Sequence, residues 1–192
     1  MYSQHDEEKV ILANTPPMGR LLDVGAYDPR QLSNSRALIE KGWSAVLVEP
    51  SSFAFSGLIE AYKTNEKITL MNCFAGKEWG LRKIYMTPDA LTTGDEAHYQ
   101  KWKAVGQYRE VIVPEVPLIQ ILLAAGNFDF LNVDAEGASW SLLQQINLKQ
   151  FSCNLVCAEF DSYKEPMRQW FEAQGFKVIS ENGGNLIAKR NA

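Results

Sequence analysis

The chain has 192 residues, of which 46% are hydrophobic and 22% charged, and its formal net charge is −4. This length suits one well-buried domain, residues 1–192, and the composition excludes a mainly disordered or collagen-like chain. The acidic balance provides no overall basic field that would attract nucleic acid or an anionic membrane, so we expect neither as a partner.

The amino-terminal residues and the cysteines predict a cellular location. The first nine residues are acidic and polar, and they lack the basic and apolar regions of a signal peptide. No apolar run reaches the roughly 20 residues that cross a bilayer. Three cysteines, an odd number without a C-x-x-C pair, are expected to be reduced. We therefore expect a cytoplasmic protein, and the sequence leaves its oligomeric state open.

The first third of the chain alternates between strand-like and helix-like segments. Strand-like runs occupy residues 20–24, 44–48 and 67–73, and apolar residues at helical spacing occupy 31–41 and 55–62. This β-α-β-α-β alternation predicts a parallel sheet.

The remaining chain continues the alternation with one interruption. Strand-like runs occupy residues 81–86, 110–114, 128–134, 155–160, 176–180 and 185–189; helical patterns occupy 95–105, 118–125, a segment from 138 onward and a segment around Met167 to Phe171. The first two of these strands are expected to pair as a hairpin around an irregular stretch, residues 87–109. The last two are joined by Gly183-Gly184 and form a second hairpin. We therefore predict an α/β fold with a seven-stranded, mostly parallel sheet and a closing antiparallel hairpin.

The turn after the first strand indicates the type of cofactor. A dinucleotide fingerprint needs G-x-G-x-x-G, whereas Gly25 is followed here by Ala26, Tyr27 and an aspartate. A pyrophosphate would meet a tyrosine and a carboxylate, which argues against a nicotinamide oxidoreductase. S-adenosylmethionine (SAM) carries no phosphate; its ammonium group can face Asp23, and its carboxylate suits backbone amides at a helix start. We predict that Asp23, Gly25, Ala26 and Tyr27 hold its methionine end.

The next two strand ends fit the rest of SAM. Glu49 ends the second strand, at a position where an acid binds ribose hydroxyls in doubly wound folds. Pro50 and Ser51 continue that turn. Asn72, Cys73 and Phe74 follow the third strand and are expected near the adenine, with core packing as the alternative for Cys73 and Phe74.

Carboxylates end two later strands, Asp134 and Glu136 after one and Glu159 and Asp161 after the other. We predict that Asp134 and Glu136 are catalytic, with Asp134 acting as general base or orienting the SAM amino group. Helix capping by Asp134 and a helix-dipole role for Glu136 are the alternatives. Glu159 with Asp134 could hold a divalent ion, but carboxylates without histidine suit Mg²⁺ or Ca²⁺ only loosely, and no metal is expected.

With these motifs the chain resembles the FkbM-like branch of the class I SAM-dependent methyltransferases, over roughly residues 19 to 189. The motifs are Leu22–Ala26, Gly42-Trp43 leading to Val48–Ser51, Asn72–Ala75, Asp129–Gly137 and the ending with Gly175-Phe176 and Asn185. The resemblance implies a single-domain Rossmann-like sandwich and transfer of the SAM methyl group, usually to a hydroxyl oxygen. The chain departs from the family pattern at Tyr27, Asn132 and Ser139.

These observations favour O-methylation of a hydroxyl on a small molecule or saccharide. One alternative is a SAM-binding accessory module without catalysis. Another is a nucleic-acid methyltransferase, which is disfavoured because no Asn/Asp-Pro-Pro-aromatic pattern follows the fourth strand of the parallel series and the basic footprint is missing.

The irregular stretch 87–109 is predicted to be an acceptor-side insertion that acts as a lid. In this interpretation Tyr99 and Trp102 face the acceptor, and Lys103 or Arg109 contacts an anionic group on it. The alternative is a surface helix that packs through its aromatic side chains.

Overall fold

The computed structural model describes residues 1–191, which form ten strands in two sheets. The strands are β1 (Arg20–Val24), β2 (Ser44–Val48), β3 (Ile68–Met71), β4 (Phe74–Gly76), β5 (Gly80–Met86), β6 (Arg109–Pro117), β7 (Phe130–Val133), β8 (Leu155–Glu159), β9 (Phe176–Glu181) and β10 (Asn185–Arg190). The main sheet has seven strands in the order β3-β2-β1-β7-β8-β10-β9. Its first five strands are parallel, and β10 runs antiparallel to both neighbours. This confirms the predicted fold.

Helices cover both faces of the main sheet. They are α1 (Glu7–Asn14), α2 (Arg36–Glu40), α3 (Ser52–Tyr62), α4 (Glu96–Trp102), α5 (Leu118–Ala125), α6 (Ser139–Leu143) and α7 (Lys164–Ala173), with a 3-10 turn at Leu148–Gln150. Successive side chains of β1 alternate between two cores: Leu22 packs with α5, α6 and α7, and Leu21 packs with α1, α2 and α3. A parallel sheet buried on both faces explains the nearly continuous apolar runs of its strands.

A smaller sheet holds the predicted hairpin of residues 81–86 and 110–114. Its strand order is β4-β6-β5, with β6 antiparallel to β5 and parallel to β4. Ile84, Met86 and Val113 form a small core beneath it. The hairpin is confirmed, but it lies outside the main sheet. The sequence did not predict β4, because its three residues directly follow the third strand of the main sheet.

One prediction for the first third of the chain needs correction, and one helix there was not predicted. The helix predicted at 31–41 begins only at Arg36, and Leu32 adopts a left-handed backbone with φ 57° instead of joining an apolar stripe. The carboxylate of Asp28 accepts the backbone N–H groups of residues 30 and 31, which holds this segment in a turn. The helix α1 was not predicted; it buries Ile11 and Glu7 and packs on one face of the sheet against β8 and β10.

Across residues 1–191, the helices are all too short or too polar to span a lipid bilayer.

Candidate active site

The main cleft lies at the carboxyl ends of β1, β2, β7 and β8, the edge at which open α/β sheets bind ligands. Eight of the twelve residues predicted for the site line it: Gly25, Tyr27, Glu49, Pro50, Cys73, Phe74, Asp134 and Glu136. The structure places the other four, Asp23, Ala26, Ser51 and Asn72, behind or beside the lining residues.

Gly25 lets the ends of β1 and β7 approach each other. Its φ is +87°, and a Cβ atom there would lie 1.7 Å from the carbonyl oxygen of Asp134. The N–H groups of Gly25 and Ala26 both donate to the carbonyl oxygen of Val48, at 3.0 and 3.1 Å. The turn is therefore fixed against the ends of both neighbouring strands, and only glycine fits.

Glu49 is buried at the end of β2, with 4% of its surface exposed. Its carboxylate accepts the backbone N–H of Tyr27 at 2.9 Å and that of Ser51 at 2.7 Å. Burial raises the pKa of Glu49 to about 7, these two hydrogen bonds oppose the rise, and the charges of Asp23 and Glu136 add to it. Each carboxylate oxygen keeps a lone pair, so Glu49 can still accept hydroxyl groups of a ligand.

Asp23 lies under the cleft. It is 1% exposed, and the side-chain amide of Asn132 donates to it at 2.8 Å. The amide of Asn34, which lines the cleft, donates in turn to Asn132 at 3.2 Å. Burial raises the pKa of Asp23, against hydrogen bonds from Ser35 and Asn132. The predicted direct contact between Asp23 and the SAM ammonium group stays a prediction.

Three carboxylates converge at the ends of β7 and β8. One oxygen each from Asp134, Glu136 and Glu159 lies within 4.8 Å of the other two. Burial is the main cause that raises the pKa of Asp134 and of Glu159, and the neighbouring carboxylates raise both further. The raised pKa values of Asp134 and Glu159 favour the uncharged, protonated form of both carboxyl groups near neutral pH. Glu159 belongs to this site as much as the two predicted residues do.

Glu136 is held by the segment that precedes β6. Its carboxylate lies 3.2 Å from Nε2 of His98, and the Thr93 hydroxyl donates to its backbone carbonyl oxygen at 2.6 Å. The following residue, Gly137, has φ +88°, and a Cβ atom there would lie 2.9 Å from Cβ of His98. The start of α4 therefore packs directly on the turn after β7 and fixes the backbone of Glu136.

The insertion 87–109 reaches the cleft through a different part than the sequence predicted. Ala90, Thr92, Thr93 and Gly94 line the cleft. Tyr99 instead stacks on Tyr85 with ring centroids 3.8 Å apart, and the edge of Tyr108 packs against it at 5.2 Å. Neither Tyr99 nor Trp102 lines the cleft, and Tyr99 packs against the smaller sheet and the chain that follows α4. The predicted contact of Trp102 with the acceptor stays a prediction.

The amino-terminal segment forms part of the cleft wall through Gln4. It is fixed by Glu7, which is 1% exposed and accepts the side-chain amides of Asn182 at 2.6 Å and Asn185 at 2.9 Å. No local sequence pattern predicts this contact, because Asn182 and Asn185 follow Glu7 by 175 and 178 residues along the chain.

The cleft is negatively charged. Its lining includes Glu49, Asp134, Glu136 and Glu159, and within residues 1–191 no lysine, arginine or histidine lines it. A pyrophosphate would be repelled here, whereas a cationic ligand would be attracted.

Residues 23–178 match the model of the methyltransferase FkbM domain, which is well over half of the chain. The chain belongs to this family. It is therefore a SAM-dependent methyltransferase domain with SAM as its cofactor. No curated protein matches the sequence significantly.

Solved structures share the fold at low identity. FkbM from Methylobacillus flagellatus superimposes with a TM-score of 0.55 and 12% identity, over 90% of this chain and 44% of that one. Sp1610 from Streptococcus pneumoniae, provisionally assigned as a tRNA (m1A22) methyltransferase and solved with SAM, gives 0.55 and 16%, over 100% and 74%. A TehB-like SAM-dependent methyltransferase from Corynebacterium glutamicum gives 0.51 and 9%, over 98% and 89%. The chain thus spans less than half of the Methylobacillus protein.

Proposed function

We propose that this domain transfers the methyl group of SAM to a hydroxyl group of a small molecule or saccharide. The observation that carries the proposal is the cluster of Asp134, Glu136 and Glu159 in a cleft lined by no cationic side chain in residues 1–191. SAM brings a sulfonium and an ammonium group, which offset part of this negative charge. A hydroxyl acceptor needs a base, and the cluster provides carboxylates for that role.

In this proposal SAM lies across the ends of β1 and β2. Glu49 accepts the ribose hydroxyls, and Phe74 and Cys73 lie at the adenine. The backbone N–H groups of Gly25, Ala26 and Tyr27 already have partners, so other donors must hold the SAM carboxylate. Asn34 also lines the cleft, but its side-chain nitrogen already donates to Oδ1 of Asn132 at 3.2 Å and to Sγ of Cys157 at 3.7 Å.

The reaction needs the sulfur, the methyl carbon and the acceptor oxygen in line, so positioning supplies much of the rate enhancement. The C–S electron pair returns to sulfur, an O–C bond forms, and the hydroxyl proton moves to a carboxylate. Asp134 is the proposed acceptor of this proton, because the raised pKa of its carboxyl group makes its ionised form a stronger base than an ordinary aspartate. His98 acts as a positioning residue that orients Glu136 beside them.

Two alternatives are weaker. Sp1610 is provisionally assigned as a tRNA methyltransferase, but a nucleic-acid acceptor needs cationic contacts to its phosphates, and the cleft lining of residues 1–191 contains none. An accessory module without catalysis does not require three half-buried acids that converge on one point, because desolvation and mutual repulsion make such a cluster costly to keep in a fold. Ala90 to Gly94 of the insertion are proposed to form the acceptor-side wall.

The test is a product analysis with isotopically labelled SAM and a panel of alcohols, phenols, saccharides, amines and short RNA. We expect methyl ethers, which NMR distinguishes from N-methyl products by the chemical shift of the labelled methyl group. Methylation of RNA or of an amine alone would contradict the proposal, and SAM binding without any turnover would favour the accessory module.

A further inference from the structure

Two buried oxygen atoms on the cleft wall have no hydrogen-bond partner in residues 1–191. They are Oδ1 of Asn185 and Oε2 of Glu159. Both residues line the cleft, and they sit opposite each other in the antiparallel pairing of β8 with β10. Buried acceptors without donors are rare in folded proteins because each costs about 1 to 3 kcal/mol. Two such atoms on cross-strand partner residues of the cleft wall indicate that a ligand supplies the donor.

The orientation of the Asn185 amide is fixed by its neighbour. Its Nδ2 donates to the Glu7 carboxylate at 2.9 Å, and a carboxylate accepts only from the amide nitrogen. The oxygen must therefore be the atom left without a partner. Asn185 is 5% exposed, so water from the open surface does not satisfy this oxygen freely.

Both oxygen atoms lie away from the proposed SAM position, on the part of the cleft that is left for the acceptor. Going from β1 to β10 crosses β7 and β8, which is three strand spacings or about 14 Å. The proposed SAM position covers the ends of β1 and β2. Glu159 belongs to the acid cluster, and Asn185 on β10 lies one strand further from the proposed SAM position.

We propose that Asn185 and Glu159 form a subsite for a protonated amino group of the acceptor, so that the substrate is an amino alcohol or an amino sugar. An ammonium group has three N–H donors and no lone pair that could accept a hydrogen bond. It therefore matches two acceptor oxygens on an acidic cleft wall. A protonated amine is not a nucleophile, so it anchors the substrate while a neighbouring hydroxyl takes the methyl group.

The inference rests on the proposed hydroxyl methylation. Measuring the binding of acceptor analogues tests the amino-group subsite separately from methyl transfer. The protein is saturated with S-adenosylhomocysteine and titrated by calorimetry with trans-2-aminocyclohexanol, its N-acetyl derivative and trans-1,2-cyclohexanediol. These probes share a ring and a hydroxyl and differ in the second group. We expect the amino alcohol to bind about 10- to 100-fold more tightly than the other two, as hydrogen bonds to a charged group do.

Asn185→Ala and the isosteric Glu159→Gln should each remove this preference. The affinity of the Asn185→Ala variant for S-adenosylhomocysteine should stay within about twofold of the unaltered protein, because effects at separate sites are nearly independent. Asn154→Ala is the control, because Asn154 is an exposed asparagine outside the cleft and should leave the preference intact. The comparison of probes on the unaltered protein remains decisive if a variant fails to fold.

The outcomes are distinct. Equal binding of the three probes would overturn the amino-group subsite and leave hydroxyl methylation standing. Preferred binding of the amino alcohol without methyl transfer to its oxygen would leave the subsite standing and count against hydroxyl methylation. An N-methyl product, or loss of S-adenosylhomocysteine binding in Asn185→Ala, would overturn the subsite, because the amino group would then react or belong to the cofactor.

Discussion

The carbonyl oxygen of Asp134 occupies the space where a side chain on Gly25 would begin, 1.7 Å from a Cβ atom placed there. The turn after β1, which belongs to the proposed cofactor site, therefore packs directly on the turn after β7, which carries the proposed catalytic acid. The Asp134 N–H also donates to the carbonyl oxygen of Val24 at 2.9 Å. Any displacement of one turn is therefore transmitted to the other.

Gly25→Ala should lower the free energy of unfolding by about 2 to 5 kcal/mol, the sum of left-handed backbone strain and overpacking. Gly175→Ala is a matched control, because Gly175 has φ +84° and no atom within 4 Å of a Cβ atom. It should cost only about 1 to 2 kcal/mol of strain. Denaturant unfolding of both variants measures the difference, and equal costs would contradict the close contact at Gly25.

Glu49 should make stability depend on pH. Its pKa is raised from the model-compound value of 4.5 to about 7, so between these pH values the folded protein binds more protons than the unfolded chain. Stability should then fall as pH rises from about 4.5 to about 7, by at most about 3 kcal/mol from this group. Unfolding curves across this range should lose that slope in Glu49→Gln. An unchanged slope would mean that other groups dominate the titration.

Asp134→Asn should remove turnover while the protein stays folded. The change replaces an acid whose ionisation is disfavoured by burial with a neutral isostere, so the free energy of unfolding near neutral pH should stay equal or rise. Without the proton acceptor, we expect methyl transfer to an identified alcohol to slow by about 10²- to 10⁴-fold. Full activity in a folded variant would show that positioning alone suffices.

Glu7→Ala should destabilise the protein although it lies outside the main sheet. Its carboxylate accepts the N–H of His5 and the side-chain amides of Asn182 and Asn185. We expect a loss of about 2 to 4 kcal/mol, because buried donors to a charged acceptor lose their partner. Glu60→Ala is the control, since the Glu60–Lys63 pair is exposed and should contribute less than about 1 kcal/mol. Similar losses for both would contradict a role of Glu7 in anchoring α1.

The sequence predicted the main sheet well, because buried parallel strands leave continuous apolar runs such as those of β1 and β2. It also predicted which strand ends carry acids, since Glu49, Asp134 and Glu159 directly follow those runs. It failed where contacts are distant along the chain. No local pattern reveals that Glu7 meets Asn185, or that His98 meets Glu136.

Turns and aromatic patterns were the other sources of error. The helical spacing around Leu32 was outweighed by the Asp28 turn, which uses the backbone groups that a helix would need. The aromatic residues of α4 repeat at helical spacing, but spacing cannot distinguish a face that packs on Tyr85 from one that contacts a ligand. The smaller sheet was missed as a separate unit because β4 consists of only three residues.

The cleft lining of residues 1–191 contains acids and no cationic side chain, so it should bind SAM and its demethylated product with different electrostatic attraction. Methyl transfer converts the sulfonium of SAM into a neutral thioether, while the carboxylates of Glu49, Asp134, Glu136 and Glu159 stay in place. The electrostatic attraction that favours binding of the reactant therefore weakens once the product forms. Product inhibition should accordingly be mild for this protein, since its charges attract SAM more strongly than S-adenosylhomocysteine.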